Sequence, residues 1–369
     1  MIDGVKMNCG GLSVEWENNS LLQFERRINA RTSQIADKGK AHAVCGGLTF
    51  SLIPSTVSKF THCLVRGSLA KLYTDGVTNA FDFTANMVEQ TISDLQSLFG
   101  IDPAKAVLEN FEFGLNITLP ETLKSRDFFR GLIAYKGNGF ATMNTANNEI
   151  GVCIGNKGFK VVKIYDKSRQ DTNAPPRLIR IEIAVKRMRA VEKYGIKTLA
   201  DLNRKTLTLL ADEILDLWRD CIYVDGKPNF RSMTAFEQKK WLYYTNPKNW
   251  EGVEKKKRYR MKQHFAGLKR KYVIGDHQAA LLELITAKAR KLTGGTNEPA
   301  NDFPKKCVHL FHNFSGNFHP QNEKSICPPF PYVYGDGKGG QNTWGFGREI
   351  RAAAFPNFKA GKDPPVERD

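Results

Sequence analysis

Tyr165, Lys167 and Glu182 place a phenol, an ammonium and a carboxylate in one short stretch, and Glu112 adds a second carboxylate upstream. Those residue types suit an attack on a phosphodiester by tyrosine. A free phenol has a pKa near 10, so at neutral pH about one in a thousand is phenolate, and reaching it costs roughly 4 kcal/mol. A cation two residues away on one strand face lowers that cost and neutralises charge on the phosphorane. Carboxylates repel a phosphate unless they hold a hard divalent ion. Glu182 and Glu112 therefore read as ligands for Mg²⁺ or Mn²⁺. The plainer alternative is a surface tyrosine beside ion pairs on a solvated sheet face.

Two strands must position this set, and the stretch Lys160–Lys186 supplies them. Val162 and Ile164 fall on one face of the first, with Val161, Lys163, Tyr165 and Lys167 on the other. In the second, Ile179, Ile181, Ile183 and Val185 oppose Arg180, Glu182, Ala184 and Lys186. Strict alternation marks a half-buried strand. Asp171, Asn173, Pro175 and Pro176 supply the turn between them. Lys163, Arg180 and Lys186 share the polar face and are expected to contact DNA. A third strand, 110–119, repeats the layout, with Phe111, Phe113, Leu115 and Ile117 opposite Glu112, Gly114 and Asn116.

The 369 residues can hold one large or two modest domains. A formal net charge of +17 points to a polyanionic partner, most often nucleic acid. No apolar run approaches the ~20 residues of a membrane span, and the first residues lack the apolar core of a signal peptide. Seven scattered cysteines with no CxxC fit reduced thiols in a cytosol.

Along the chain, residues 1–75 read as β-rich, with strands at 46–54 and 63–73. An amphipathic helix follows over 84–98, stopped by Gly100. Asp102-Pro103 reads as a helix start. A short helix is expected over 121–132 and a loop or hairpin over 136–150. After the strand at 178–186 come helices at 189–194 and from Thr198, then an apolar helix, 207–218, suited to packing on the sheet. Residues 227–295 look helical and basic. Lys255–Tyr272 carries nine cations and no acid. Within it Lys255, Lys256, Lys257, Arg258, Arg260, Lys269, Arg270 and Lys271 are expected to bind the DNA backbone. Cys307, His309, His312, His319 and Cys327 are zinc-ligand types, but their spacing matches no standard finger. The Gly- and Pro-rich segment from Tyr332, with GDGKGG at 335–340, is expected to be a disordered tail.

Taken in order, these islands resemble the gene II/X replication-protein family, the rolling-circle replication initiators of filamentous phages. They are the Tyr-x-Lys strand Val162–Lys167, the Arg-x-Glu strand Leu178–Val185, Gly195-Ile196, Leu217-Trp218, the N-terminal Met-Ile-Asp and the strand Val65–Tyr73. The similarity runs from residue 1 to about residue 290. The resemblance implies nicking of one strand at an origin, a covalent 5′ phosphotyrosine on Tyr165 with Lys167 beside it, and later rejoining of the displaced strand. Host helicase and polymerase are the implied partners, in a bacterial host's cytoplasm. Glu182 matches the family's acidic residue on the second strand. Asn116 falls where the phage proteins carry an acid, which leaves open a metal role for Glu112 instead.

The expected fold is an α/β (α+β) nickase-like domain of antiparallel sheet with flanking helices, in two related halves, over residues 1–225. A basic helical DNA-binding region follows over 226–295, then a loop-rich tail over 296–369. A mobilisation relaxase and a non-catalytic origin-binding protein remain open beside the replication nickase.

Overall fold

Ten of the chain's strands form one antiparallel sheet in this computed structural model, which describes residues 1–26, 31, 39–55, 61–145, 148–156, 158–224, 228–273 and 277–294. The strands are β1 (Ile2–Asn8), β2 (Glu25–Arg26), β3 (Ala41–Cys45), β4 (Leu48–Pro54), β5 (Thr61–Ser68), β6 (Val107–Thr118), β7 (Leu132–Tyr135), β8 (Asn138–Gly139), β9 (Ala141–Thr145), β10 (Asn148–Asn156), β11 (Lys160–Asp166), β12 (Leu178–Val185) and β13 (Cys221–Tyr223). The helices are α1 (Ser13–Glu17), α2 (Leu69–Tyr73), α3 (Ala85–Phe99), α4 (Ser125–Gly131), α5 (Lys167–Gln170), α6 (Arg204–Asp220), α7 (Ala235–Thr245), α8 (Lys255–Tyr272) and α9 (His277–Thr293).

The large sheet runs β2-β3-β4-β5-β1-β6-β12-β11-β10-β9. Outward from its centre, β1-β5-β4-β3 on one side mirrors β6-β12-β11-β10 on the other. In each half a central strand comes first in the chain, and three hairpin-linked strands return to its side. Each set is followed by a long amphipathic helix, α3 or α6. The two halves join where β1 pairs with β6. The mixed α/β architecture with a large antiparallel sheet thus matches the sequence expectation.

Alternation decides which face is core. Ile164, Ile181 and Leu115 stand side by side across β11, β12 and β6, as do Val162, Ile183 and Phe113. This aliphatic face belongs to one continuous core with residues of α3 and α6. α3 begins at Thr84, whose side chain accepts from the Met87 amide. It ends at Gly100, whose left-handed φ of 65° suits a residue without Cβ. α9 packs against α6 and β6, and its Leu281, Ile285, Ala289 and Leu292 join the same core.

β13-β7-β8 form a small second sheet. With α7 and α8 it builds a separate apolar cluster around Ile133, Ile222, Trp241, Trp250 and Phe265. The basic stretch therefore divides by packing: α8 belongs to the small cluster, α9 to the large core.

Several local expectations differ from the structure. The strand read over 63–73 stops at Ser68, whose hydroxyl accepts from the Lys71 amide and caps α2. Asp102-Pro103 opens only a turn, in which Asp102 Oδ1 accepts from the Ala104 amide. The loop or hairpin expected over 136–150 is met by the β9–β10 hairpin. The cysteine–histidine cluster at 307–327 and the tail of 296–369 lie outside the described residues.

Candidate active site on the sheet

The register of β11 and β12 assembles the polar set. Lys163 pairs with Glu182 and Tyr165 with Arg180; on the other side of β12, Glu182 pairs with Gly114 and Arg180 with Asn116. Side chains one step apart on neighbouring strands meet, and here they meet in two rows.

In the first row Lys163 Nζ donates to Glu182 Oε1 at 2.6 Å and to Glu112 Oε1 at 2.9 Å. The Tyr165 hydroxyl donates to Glu182 Oε2 at 3.1 Å. One carboxylate therefore joins the phenol to an ammonium. Lys186 Nζ stands 3.6 Å from Glu112 Oε1 at the open end. Glu182 is 2 % exposed and Tyr165 5 %, so the phenol lies beneath the surface. Burial, with the Glu182 charge beside it, pushes the Tyr165 pKa well above its ordinary value. Burial and the Glu182 charge likewise raise the Glu112 carboxyl, to about 7. Burial would lower the Lys163 pKa, but Glu182 and Glu112 outweigh it and hold the ammonium charged.

The second row centres on Arg180, which also interacts with the Tyr165 hydroxyl beside it in the first row. Arg180 Nε donates to Asn116 Oδ1 at 2.8 Å and Nη1 to Asp3 Oδ2 at 2.6 Å, while Nη2 donates to the Asn79 carbonyl. Asp3 reaches this point because β1 carries an extra residue: Ile2 faces Phe113 and Val5 faces Phe111, so Asp3 and Gly4 share the place opposite Glu112. Asn79 Nδ2 holds both oxygens of Asp3. Burial pushes the Asp3 carboxyl up, but Arg180 and the bonds from Ser68 and Asn79 bring it below its ordinary value. A cavity of about 20 Å³, one water in size, lies among Asp3, Asn79, Asn116, Arg180 and Glu182. Tyr165 does not line it.

The expected residues thus fall into different places. Tyr165, Glu182, Glu112 and Lys163 come together. Arg180, expected on DNA, is 5 % exposed and spends its guanidinium inside the fold. Lys167, expected beside Tyr165 on the strand face, begins α5 instead, because β11 ends at Asp166 and the Asp166 side chain caps that helix. Its Nζ bonds Gln170 Oε1 at 2.9 Å, and burial followed by the Arg180 charge lowers its pKa to about 8. Lys163, expected on the same face, is the lysine that Glu182 joins to the phenol. Asp3 and Asn79 were not expected, and no local spacing announces them.

Fit to a divalent ion is decided by the donors. Among the described residues no three His, Cys, Asp or Glu side chains gather. Asn116 is hydrogen-bonded within the fold: Arg180 Nε donates to its Oδ1, and its Nδ2 donates to the Phe81 carbonyl at 3.2 Å. Glu112 and Glu182 do fit: they are hard oxygen donors that Lys163 draws together. Mg²⁺ is commonly held by one or two carboxylates, with substrate phosphate and water completing its shell.

A second tyrosine repeats the first row in a more open setting. The Tyr194 hydroxyl donates to Glu213 Oε2 at 2.9 Å, and Lys160 Nζ holds Glu213 Oε1 at 2.5 Å. Tyr194 and Glu213 lie on different helical elements and are 19 residues apart, so strand alternation gives no sign of the pair.

On α8 the apolar side is buried through Met261, Phe265 and Leu268. Lys255, Lys256, Lys257, Arg260 and Arg270 are exposed, and Arg258 is half-buried. Arg258 Nη1 donates to the Val253 carbonyl. Lys269 Nζ bonds the Tyr223 carbonyl at 3.1 Å and Gln278 Oε1 at 2.7 Å, and Lys271 Nζ bonds Glu237 at 2.8 Å.

A scan against protein-family models and searches of curated proteins and of solved structures found no match to this chain. Among the described residues no helix is long and apolar enough to cross a membrane.

Proposed function

We propose that the chain is a DNA strand transferase that starts rolling-circle replication of a phage, plasmid or integrated element, with Tyr165 as nucleophile. The observation that carries this reading is the Tyr165 hydroxyl resting on Glu182 Oε2 at 3.1 Å while Lys163 holds Oε1 at 2.6 Å. A nucleophile on a carboxylate that a cation orients is the arrangement of an activated hydroxyl. In the attack, the phenol oxygen bonds to phosphorus and its proton passes to Glu182 Oε2. The P–O3′ bond breaks, the departing oxygen takes up a proton from solvent as a 3′ hydroxyl, and the tyrosine keeps the 5′ phosphate. A later attack by a 3′ hydroxyl on that phosphotyrosine restores the phenol and rejoins the strand. Burial holds the phenol neutral at rest, so a base must take its proton for the attack to proceed.

Glu112 and Glu182 are the residues that would hold Mg²⁺ or Mn²⁺. Such an ion supplies positive charge to the phosphate oxygens. The exposed cations of α8 supply affinity for the DNA backbone. A host helicase and a polymerase to extend the 3′ hydroxyl are the partners this reading requires.

The 5 % exposure of Tyr165 favours a second reading, an origin-binding protein in which the tyrosine is structural. One assay separates the two. Supercoiled plasmid bearing the origin of the chain's own element is incubated with protein and divalent ion. Nicked plasmid with an SDS-stable protein adduct, absent with Tyr165→Phe, supports the transferase. Retarded but intact plasmid supports the binder.

A further inference from the structure

Helix α7 has two unlike sides. At about 100° per residue, Glu237, Tyr244 and Trp241 fall together, and Leu242, Lys239, Tyr243, Phe236 and Lys240 fill the opposite arc. The first side is sealed in the small apolar cluster, with Trp241 3 % and Tyr244 5 % exposed. On the other side Phe236 is 63 %, Leu242 61 % and Tyr243 40 % exposed. Large apolar side chains so open and so close together mark a binding surface. Lys240 Nζ lies 5.4 Å from the ring centroid of Phe236 and 6.0 Å from that of Tyr243, so one cation sits between two rings. The rings are seven positions apart, about 10.5 Å along the axis. Glu237, the one acid of α7, is used elsewhere: its Oε2 accepts from Thr234 at the N-cap, and its Oε1 pairs with Lys271.

We infer that this arc is a stacking platform for single-stranded nucleic acid, on which Phe236 and Tyr243 each take a base and Lys239 and Lys240 take the phosphates. Charge decides among occupants. A two-fold contact between copies would set the same patch against itself, lysines facing lysines with no acid on the arc to relieve them. A polyanion has the complementary sign. Exposed rings beside cations suit an unpaired strand, because stacking on a ring needs a free base face, which a duplex buries between its neighbours. The inference rests on the reading of the chain as a DNA-binding protein, but not on chemistry at Tyr165.

Fluorescence anisotropy of the full chain tests it, with a short labelled oligothymidine, the same backbone made abasic, and a duplex. Wild type should bind oligothymidine more tightly than the abasic strand. Removing each ring, as Phe236→Ala and Tyr243→Ala, should weaken oligothymidine binding about 5- to 150-fold and leave the abasic strand and the duplex nearly unchanged. Phe236→Trp should keep the affinity, which separates stacking from a folding defect. Equal oligothymidine affinity in wild type and the double alanine variant would overturn the platform. So would a double variant that turns a dimer into a monomer in sedimentation with oligothymidine binding intact, since that makes the arc a contact between copies. Wild type that binds none of the three probes would remove the DNA-binding reading as well.

Discussion

Replacing Arg180 with Met removes a side chain that ties β12 to β1, to β6 and to the segment around Asn79. The guanidinium side chain is 6 % exposed and meets Asp3, whose side chain is 17 % exposed. Breaking a buried pair from one side costs about 3–5 kcal/mol, because the remaining charge stays desolvated. Asp3 keeps hydrogen bonds from Ser68 and Asn79, which places the loss near the lower figure, about 3 kcal/mol. With a urea m-value of about 3 kcal/mol/M, the unfolding midpoint should fall by about 1 M at unchanged m. Asp3→Asn in the Arg180→Met background removes the stranded charge. The double variant should therefore be more stable than the sum of the single losses predicts, by about 1–3 kcal/mol. The pH dependence has a definite sign. In the wild type Asp3 titrates below its ordinary range, so its pairing stabilises the fold at neutral pH and is lost as pH falls through that lowered value. Without Arg180, burial is left to raise the carboxyl, so the variant's defect is largest at neutral pH and shrinks in acid as Asp3 takes a proton. A midpoint shift under about 0.3 M, or strictly additive losses, would refute the buried network and return Arg180 to the DNA-facing set.

Three further outcomes follow from the same geometry. Glu182→Gln removes the proton acceptor of Tyr165 and should lower nicking about 10²- to 10⁴-fold in plasmid assays, with DNA affinity unchanged in anisotropy. Exchanging Lys255, Lys256, Lys257, Arg260 and Arg270 for Gln should flatten the plot of log K against log salt by up to roughly 4.5, at about 0.9 per phosphate. By contrast, Lys269→Met should leave that slope alone and lower the melting temperature, because its ammonium group is bonded to the Tyr223 carbonyl and Gln278 within the fold. A Cβ at Gly114 would stand 2.4 Å from the Ile181 carbonyl oxygen, so Gly114→Ala must push β6 from β12 beside Glu182. It should cost about 1–3 kcal/mol in urea unfolding.

Strands β11 and β12 were legible because alternation is a local property. Val162 and Ile164, or Ile179 to Val185, announce a buried face without help from the rest of the chain, and their partners Lys163, Tyr165 and Glu182 follow on the other face. The fate of Arg180 was not legible. A cation on a polar face reads as exposed, and the carboxylate that claims it lies 177 residues away on a bulged strand. Lys167 was misplaced because four residues are too few to show helical periodicity, so the strand was read through the Asp166 cap. The nine cations of 255–272 looked equivalent in sequence, whereas the helix phase turns Lys269 inward and leaves Lys255 to Lys257 in solvent. The strand order of the large sheet depends on which edges pair, and the hydrophobic pattern of single strands does not encode that.

The claim that Tyr165 is the nucleophile is tested most directly by finding the amino acid that carries the DNA. Protein is incubated with plasmid bearing the origin of its element, denatured, and freed of all but the linked nucleotide by nuclease. It is then cut with trypsin and read by mass spectrometry. Cleavage after Lys163 and Lys167 isolates Ile164–Lys167, a peptide whose one tyrosine is Tyr165. The expected result is a 5′ nucleotide on that peptide and none from Tyr165→Phe. A nucleotide on the peptide carrying Tyr194, or bound and intact plasmid with no modified peptide, would contradict it.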